Sequence, residues 1–181
     1  MKTFMSVIAL LLVFGAMAIA QTEAEALVTG EVVSALVLVN VDGDWGVFAS
    51  GNTYVVTPAG FKDPPGPGEG AGVVVGPVGF EVDGVGGENV VVNLVLPGAM
   101  NSDDDAAGLP LSNWTYGWNY DNDPTASFSA SGAVTGNAVN LSINSNAASG
   151  LFLGATVTVP PTAFPGTYTA QIIGSASYTG N

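Results

Sequence analysis

The sequence contains no cysteine and no histidine, and lysine is its only basic residue type. Without cysteine no disulfide can form, so burial and hydrogen bonding must stabilise the fold. The usual nucleophile–base pairs are excluded, and a zinc site would lack its two best ligand types. We therefore predict that the protein is not an enzyme. A glycosidase carboxylate pair drawn from Asp103, Asp121 and Asp123 is the catalytic alternative, although nothing in the sequence marks the acid.

Positive charge is nearly absent. Two lysines, Lys2 and Lys62, stand against 15 acidic residues, which gives a formal net charge of −13. Binding nucleic acid requires cations that neutralise phosphates, and an acidic surface is repelled by anionic headgroups. We expect neither partner for the mature chain. Residues 124–181 contain no Asp, Glu, Lys, Arg or His. This region is either a polar β face or a surface for identical copies, since charge normally discourages edge pairing.

The first twenty residues have the pattern of an export signal. Lys2 precedes an apolar run from Phe4 to Met17, and Ala18-Ile19-Ala20 matches a small-residue cleavage site. We predict a cleaved signal peptide at 1–20 and an extracellular or cell-surface location. Residues 21–35 would then form an N-terminal arm or first strand, and residues 36–181 one domain.

Apolar residues in the later part of the chain alternate with a period of two. The pattern covers 137–144, 151–159 and 167–179, and shorter or two-faced apolar segments at 32–41, 53–57, 78–82 and 90–96 also read as strands. Residues 58–72 and 97–112, rich in proline, glycine or aspartate, are predicted as long loops. The predicted fold is all-β: a single β-sandwich, immunoglobulin-like or pilin-like, of roughly eight or nine strands.

Several short motifs resemble those of an uncharacterised family of secreted bacterial β-sandwich domains found in Gram-negative surface proteins. They are Asp44-Trp45-Gly46-Val47-Phe48, Gly79-Phe80-Glu81-Val82-Asp83-Gly84, Leu151-Phe152-Leu153-Gly154-Ala155-Thr156-Val157, Gly166-Thr167-Tyr168-Thr169-Ala170 and a final Tyr178. The resemblance spans about residues 27–180. It implies an immunoglobulin-like or pilin-like sandwich and no catalytic site. The spacing of Gly166 and Tyr178 also resembles the last strand of pilins assembled by chaperone and usher, although the disulfide usual in those pilins is absent.

Clustered oxygen ligands suggest calcium as the one candidate metal. The candidate ligands are Asp103, Asp105, Asp121 and Asp123, and the competing interpretation is a set of solvated acidic turns. The sequence WTYGWNY, residues 114–120, would place four aromatic rings on one strand face. That row is either a core face or a glycan platform carried by Trp114 and Trp118.

The segment near the mature N-terminus is apolar on both faces, as a strand inserted into a neighbouring subunit would be. We therefore predict a structural subunit of an extracellular filament or surface layer, assembled as a homopolymer by strand donation. The predicted donor positions are Leu27, Val28, Val32, Val33, Leu36 and Leu38. The same residues could instead form the protein's own first strand. The alternative function is a monomeric surface adhesion module that binds glycan or calcium.

Overall fold

The computed structural model describes residues 36–143 and 148–179. Eleven β-strands and no helix occur in these residues, which accordingly contain no helix able to cross a membrane. The strands are β1 (Val37–Val41), β2 (Thr53–Val56), β3 (Lys62–Asp63), β4 (Val78–Asp83), β5 (Asn89–Val95), β6 (Ala99–Ser102), β7 (Asp105–Asn119), β8 (Ala130–Ala133), β9 (Ala138–Ser142), β10 (Ser149–Thr158) and β11 (Ile173–Tyr178).

The larger sheet is built around β10 and β7, its two longest strands. One edge of β10 pairs with β4 along its first half and with β2 along its second half. The other edge pairs with β7. β1 extends the sheet beyond β4, and β3 extends it beyond β2. On the far side of β7 lie β8 and the hairpin partner β6.

The smaller sheet has three antiparallel strands in the order β11, β5, β9. Alternate residues of β5 and β9 point inward and pack against β4, β7 and β10 of the larger sheet, which makes the described residues a β-sandwich. The buried residues of this sandwich core include Phe80, Val82, Val90, Val92, Leu94, Trp118, Val139, Leu141, Leu151 and Leu153.

A second core lies at the other end of the long strands, where the smaller sheet does not reach. Tyr54, Leu111 and Val157 project from β2, β7 and β10 into this core. Loop residues cover it instead of strands, notably Trp45, Val75 and Tyr168. The loops at 42–50 and 159–172 are therefore packed parts of the fold.

The outer face of the larger sheet is also partly covered. The segment after β7 folds back so that the ring of Phe128 lies against Gly117, and its centroid is 6.3 Å from that of Phe152. Asn122 Nδ2 in the same segment donates to Glu81 Oε2 at 2.7 Å. Gly117 has no side chain, and this leaves the space that Phe128 occupies.

The β-sandwich prediction is confirmed, with eleven strands rather than eight or nine. The strands predicted at 53–57, 78–82, 90–96, 137–144 and 151–159 all form. The prediction of a loop at 97–112 is wrong, because β6 and the first part of β7 form a hairpin there. The strand predicted at 167–179 is confirmed only from Ile173, since the preceding residues cover the second core.

Candidate functional site

The predicted donor positions divide into two groups. Leu27, Val28, Val32 and Val33 lie outside the described residues. Leu36 and Leu38 are half-buried against the sandwich core. β1 pairs with β4 of the same chain, and Leu38 lies opposite Val82. Leu38 therefore lies in the protein's own first strand. For Leu36 and Leu38 the structure supports the intramolecular interpretation, and the prediction that they insert into a neighbouring subunit is wrong.

Among the described residues, four edge strands of the two sheets carry no charge, whereas β3, an edge strand that pairs only with β2, contains Lys62 and Asp63. In the described part of the chain, β1 pairs only with β4, β8 only with β7, β9 only with β5, and β11 only with β5. None of these four strands contains a charged residue or a proline. Val37 and Val39 on β1 are 46% and 51% exposed. Soluble monomers usually protect such edges with lysine, proline or bulges.

The predicted calcium ligands fall into two separate places. Asp103 and Asp105 lie at the turn from β6 to β7, whereas Asp121 and Asp123 follow the other end of β7. At about 3.3 Å per residue, the fifteen residues of β7 separate these places by roughly 45 Å. One ion cannot bind both pairs. The described residues contain no group of three or more carboxylates able to hold a metal ion, and calcium binding stays a prediction.

Asp105 is held by hydrogen bonds within the protein. Its Oδ1 accepts from the amide of Ala107 at 2.9 Å, and its Oδ2 accepts from the Tyr168 hydroxyl at 2.7 Å and the Phe164 amide at 3.3 Å. The Tyr168 hydroxyl, with the Ala107 amide, lowers the pKa of Asp105. The same contact raises the pKa of Tyr168 to about 12. Asp105 therefore fastens the loop at 159–172 to the start of β7.

Asp123 is likewise engaged, in a local turn. Its Oδ1 accepts from the Thr125 hydroxyl at 2.7 Å and from the Thr125 amide at 2.8 Å. Both contacts, the hydroxyl first, lower the pKa of the Asp123 carboxyl. This is the side-chain turn that aspartate forms without any metal.

The aromatic row of β7 faces the core rather than solvent. Trp118 is 2% exposed and lies between the two sheets. A sugar platform that uses the Trp118 ring is therefore wrong. Trp114 is half-buried between the two cores, with its ring centroid 6.1 Å from that of Trp45.

A cleft of about 740 Å³ opens beside the second core, between residues 43–50 and 163–169. Trp45 and Leu109 line its apolar floor, and Phe164, 61% exposed, stands at its border. A smaller hollow of about 150 Å³ continues past Tyr168 to Trp114. The cleft combines aromatic surface with hydroxyl and backbone groups, as small-molecule sites do.

The functional residue that the sequence pattern does not reveal is Lys62: the surrounding prolines and glycines predict a loop, whereas the residue is buried in β3. Its Nζ donates to the carbonyls of Trp45 at 3.0 Å and Val47 at 2.8 Å, and pairs with Glu69 at 2.7 Å. It also lies 4.8 Å from the centre of the Phe48 ring. Lys62 thus holds one wall of the cleft. The sequence feature that could have indicated this ion pair is a single lysine, Lys62, seven residues before Glu69.

No protein-family model, curated protein or solved structure matches this chain. The resemblance drawn from the short sequence motifs stays a prediction. The geometry alone offers three features for a function: four uncharged sheet edges, a cleft with aromatic walls, and a buried ion pair that supports one of those walls.

Proposed function

We propose that the protein is a structural subunit of an extracellular filament or surface layer, in which identical subunits are joined by β-strand donation. The observation that carries this proposal is the absence of charge and proline from four edge strands, β1, β8, β9 and β11. An unpaired edge presents a row of amide and carbonyl groups that another chain can satisfy. The residues predicted to donate, 21–35, directly precede Leu36, where the described chain begins.

The distribution of charge supports the same conclusion. The protein is strongly acidic, yet its acidic residues all lie between Glu23 and Asp123, outside these four edges. Edge addition supplies main-chain hydrogen bonds, and its specificity comes from side-chain pockets. An acidic protein that leaves its edges neutral can stay dispersed during export and still associate along those edges.

Electron microscopy of negatively stained material tests the proposal. We expect filaments or sheets both in material sheared from producing cells and in the purified mature protein. Deletion of residues 21–35 should abolish them and leave a folded monomer with an unchanged circular dichroism spectrum. Dispersed wild-type monomers in both samples, or filaments that survive the deletion, would contradict donation by this segment.

A second candidate function, binding of uncharged glycans, is favoured by the cleft beside Trp45. Among the described residues the only cation is Lys62, which is buried and paired, so the cleft has no free cationic side chain for an anionic ligand. Phe164→Ala should weaken retention on immobilised neutral oligosaccharides. Phe61→Ala is the matched control, because Phe61 is 51% exposed and does not line the cleft. Equal retention by both variants and the wild type would exclude this site.

A further inference from the structure

The two sides of the sandwich differ in how closely the sheets meet. On the side of β1 and β11 the sheets are in contact. A Cβ added to Gly174 of β11 would lie 2.9 Å from Leu38 Cδ2 and 2.8 Å from Phe80 Cζ. This side has no room between the sheets for a further row of side chains.

On the side of β8 and β9 two cavities open between the sheets. The first, of about 500 Å³, is bordered by Trp118 and Ala130 on the larger sheet and by Leu141 on β9. The second, of about 530 Å³, is bordered by Trp114 and Val134 and by Asn137, next to the start of β9. We call them the Trp118 cavity and the Trp114 cavity. Both lie beside β8 and β9 on this side of the sandwich, and we refer to the two together as the groove.

The residues that line the groove are suited to an inserted strand. Its walls include core residues such as Val90, Leu141 and Trp118, so apolar side chains could enter it. Trp118 Nε1 is buried and has no hydrogen-bond acceptor among the described residues. A strand laid beside β9 could pair with the edge of β9, and its backbone carbonyls are candidate acceptors for that N–H.

We propose that the groove between β8 and β9 is the acceptor site for residues 27–35 of a second copy of this chain. This inference rests on the proposed function and names the edge that it uses. The Trp114 cavity is bordered by Asn137, the residue before β9, and the Trp118 cavity by Leu141 of β9, four positions later. Val28 and Val32 are also four residues apart, which places them on one face of an extended strand. Gly30 lies between them. Each valine fills one cavity.

Length and position favour a second copy over the same chain as the source of the strand. The described chain begins beside β1, on the closed side of the sandwich, whereas the groove lies on the opposite side. Val32 lies four residues before Leu36, a span of at most about 14 Å, whereas β1 and β8 are four strand spacings apart in the larger sheet, about 19 Å. The segment is therefore too short to reach its own groove and can enter that of an adjacent subunit. Because donor and acceptor lie on opposite sides, the contact is head-to-tail, and we propose that successive contacts do not close into a ring. Such contacts generate open filaments.

Cysteine cross-linking tests this acceptor site in the full chain, because the protein has no cysteine of its own. Asn140 is an exposed residue of β9 that alternates with the inward-facing Leu141. In a strand with Val28 and Val32 inward, Thr29 or Glu31 would lie opposite Asn140, depending on the strand direction. The two variants are Thr29→Cys with Asn140→Cys and Glu31→Cys with Asn140→Cys. The control pairs use Val39→Cys on β1 instead of Asn140→Cys.

We expect one of the two Asn140→Cys variants to form a ladder of multimers on oxidation, which collapses on reduction. A single-cysteine variant can form at most a dimer, and the Val39→Cys controls should form no ladder. If filaments assemble but only the Val39→Cys pairs give a ladder, the acceptor is β1, and this inference fails while the filament proposal stands. An internally cross-linked monomer would also overturn it. If the wild type forms no filaments, both proposals fail together.

Discussion

Replacing Lys62 with methionine should be one of the most costly single substitutions in this protein. Lys62 is 2% exposed, and its ammonium group pairs with Glu69 at 2.7 Å and donates to the carbonyls of Trp45 and Val47. Methionine keeps the apolar stem and removes every one of these contacts. Breaking a buried ion pair by removing one partner costs about 3–5 kcal/mol, because the other charge stays behind without compensation.

The lower end of that range applies here. Glu69 is 15% exposed and still accepts from the amides of Val47 and Gly66 at 3.1 and 2.7 Å. Its charge would therefore keep some solvation after Lys62 is lost. We expect the free energy of unfolding to fall by about 3 kcal/mol. At about 2–4 °C per kcal/mol for a chain of this size, the melting temperature should fall by about 6–12 °C.

Urea unfolding, followed by tryptophan fluorescence and circular dichroism, measures the loss. Asp63→Asn is the control, since Asp63 is the exposed neighbour in the same strand and should change stability by less than about 0.5 kcal/mol. The double variant Lys62→Met with Glu69→Leu should recover much of the loss, because no charge remains buried. If Lys62→Met alone costs less than about 1 kcal/mol, the contacts around Lys62 do not stabilise the fold as argued.

The pH dependence gives an independent check on the same pair. Burial raises the pKa of Glu69, but the bonds from Lys62, Val47 and Gly66 outweigh burial and lower it. A carboxyl with a lowered pKa contributes stability above its unfolded value of 4.5, and that contribution is lost as the pH falls. In Lys62→Met the loss of stability below about pH 4.5 should be shallower than in the wild type.

Three further substitutions test other contacts. Gly117→Val should cost about 1–3 kcal/mol in urea unfolding, because a side chain there meets the Phe128 ring. Trp118→Ala should cost about 3–5 kcal/mol by the same measurement, as expected for a core aromatic residue. In a spectrophotometric titration one phenolate should ionise near the Tyr168 pKa of about 12, and Asp105→Asn should shift it toward about 10. Since the folded-state pKa is raised, the Tyr168 contribution to stability should be lost as the pH rises above about 10.

The parts of the fold that the sequence predicts well are those where one sheet face is buried and the other is polar. In β9, Val139 and Leu141 are buried while Asn140 and Ser142 are exposed, and the alternation is visible in the sequence. The first part of β7 was missed because Asp105 and Pro110 indicate a turn. Pro110 is exposed and lies opposite Ala99 of β6, so its missing N–H is tolerated at this position.

The contacts that shape the cleft could not have been predicted from local pattern. Asp105 and Tyr168 are 63 residues apart in the sequence and meet only because β7 and the loop after β10 pack on the same core. Lys62 was placed in a loop because prolines and glycines surround it. A charged side chain can be buried only where partner groups surround it in three dimensions. The periodicity of the sequence does not show which groups these are.

Under the proposed function, the positions of the charges account for a chain that is both dispersed and self-associating. Most of the acidic residues outside the first 35 lie at strand ends and turns, as with Asp83 at the end of β4, Asp103 in the β6–β7 turn and Asp121 after β7. The edge strands β1, β8, β9 and β11 are neutral by contrast. Like charges therefore oppose stacking of the sandwiches end to end, and this repulsion is weaker along the sides. The groove beside β9 makes the two neutral sides different, because the opposite side, at β1, has no matching space between the sheets. One side can therefore accept a strand and the other cannot.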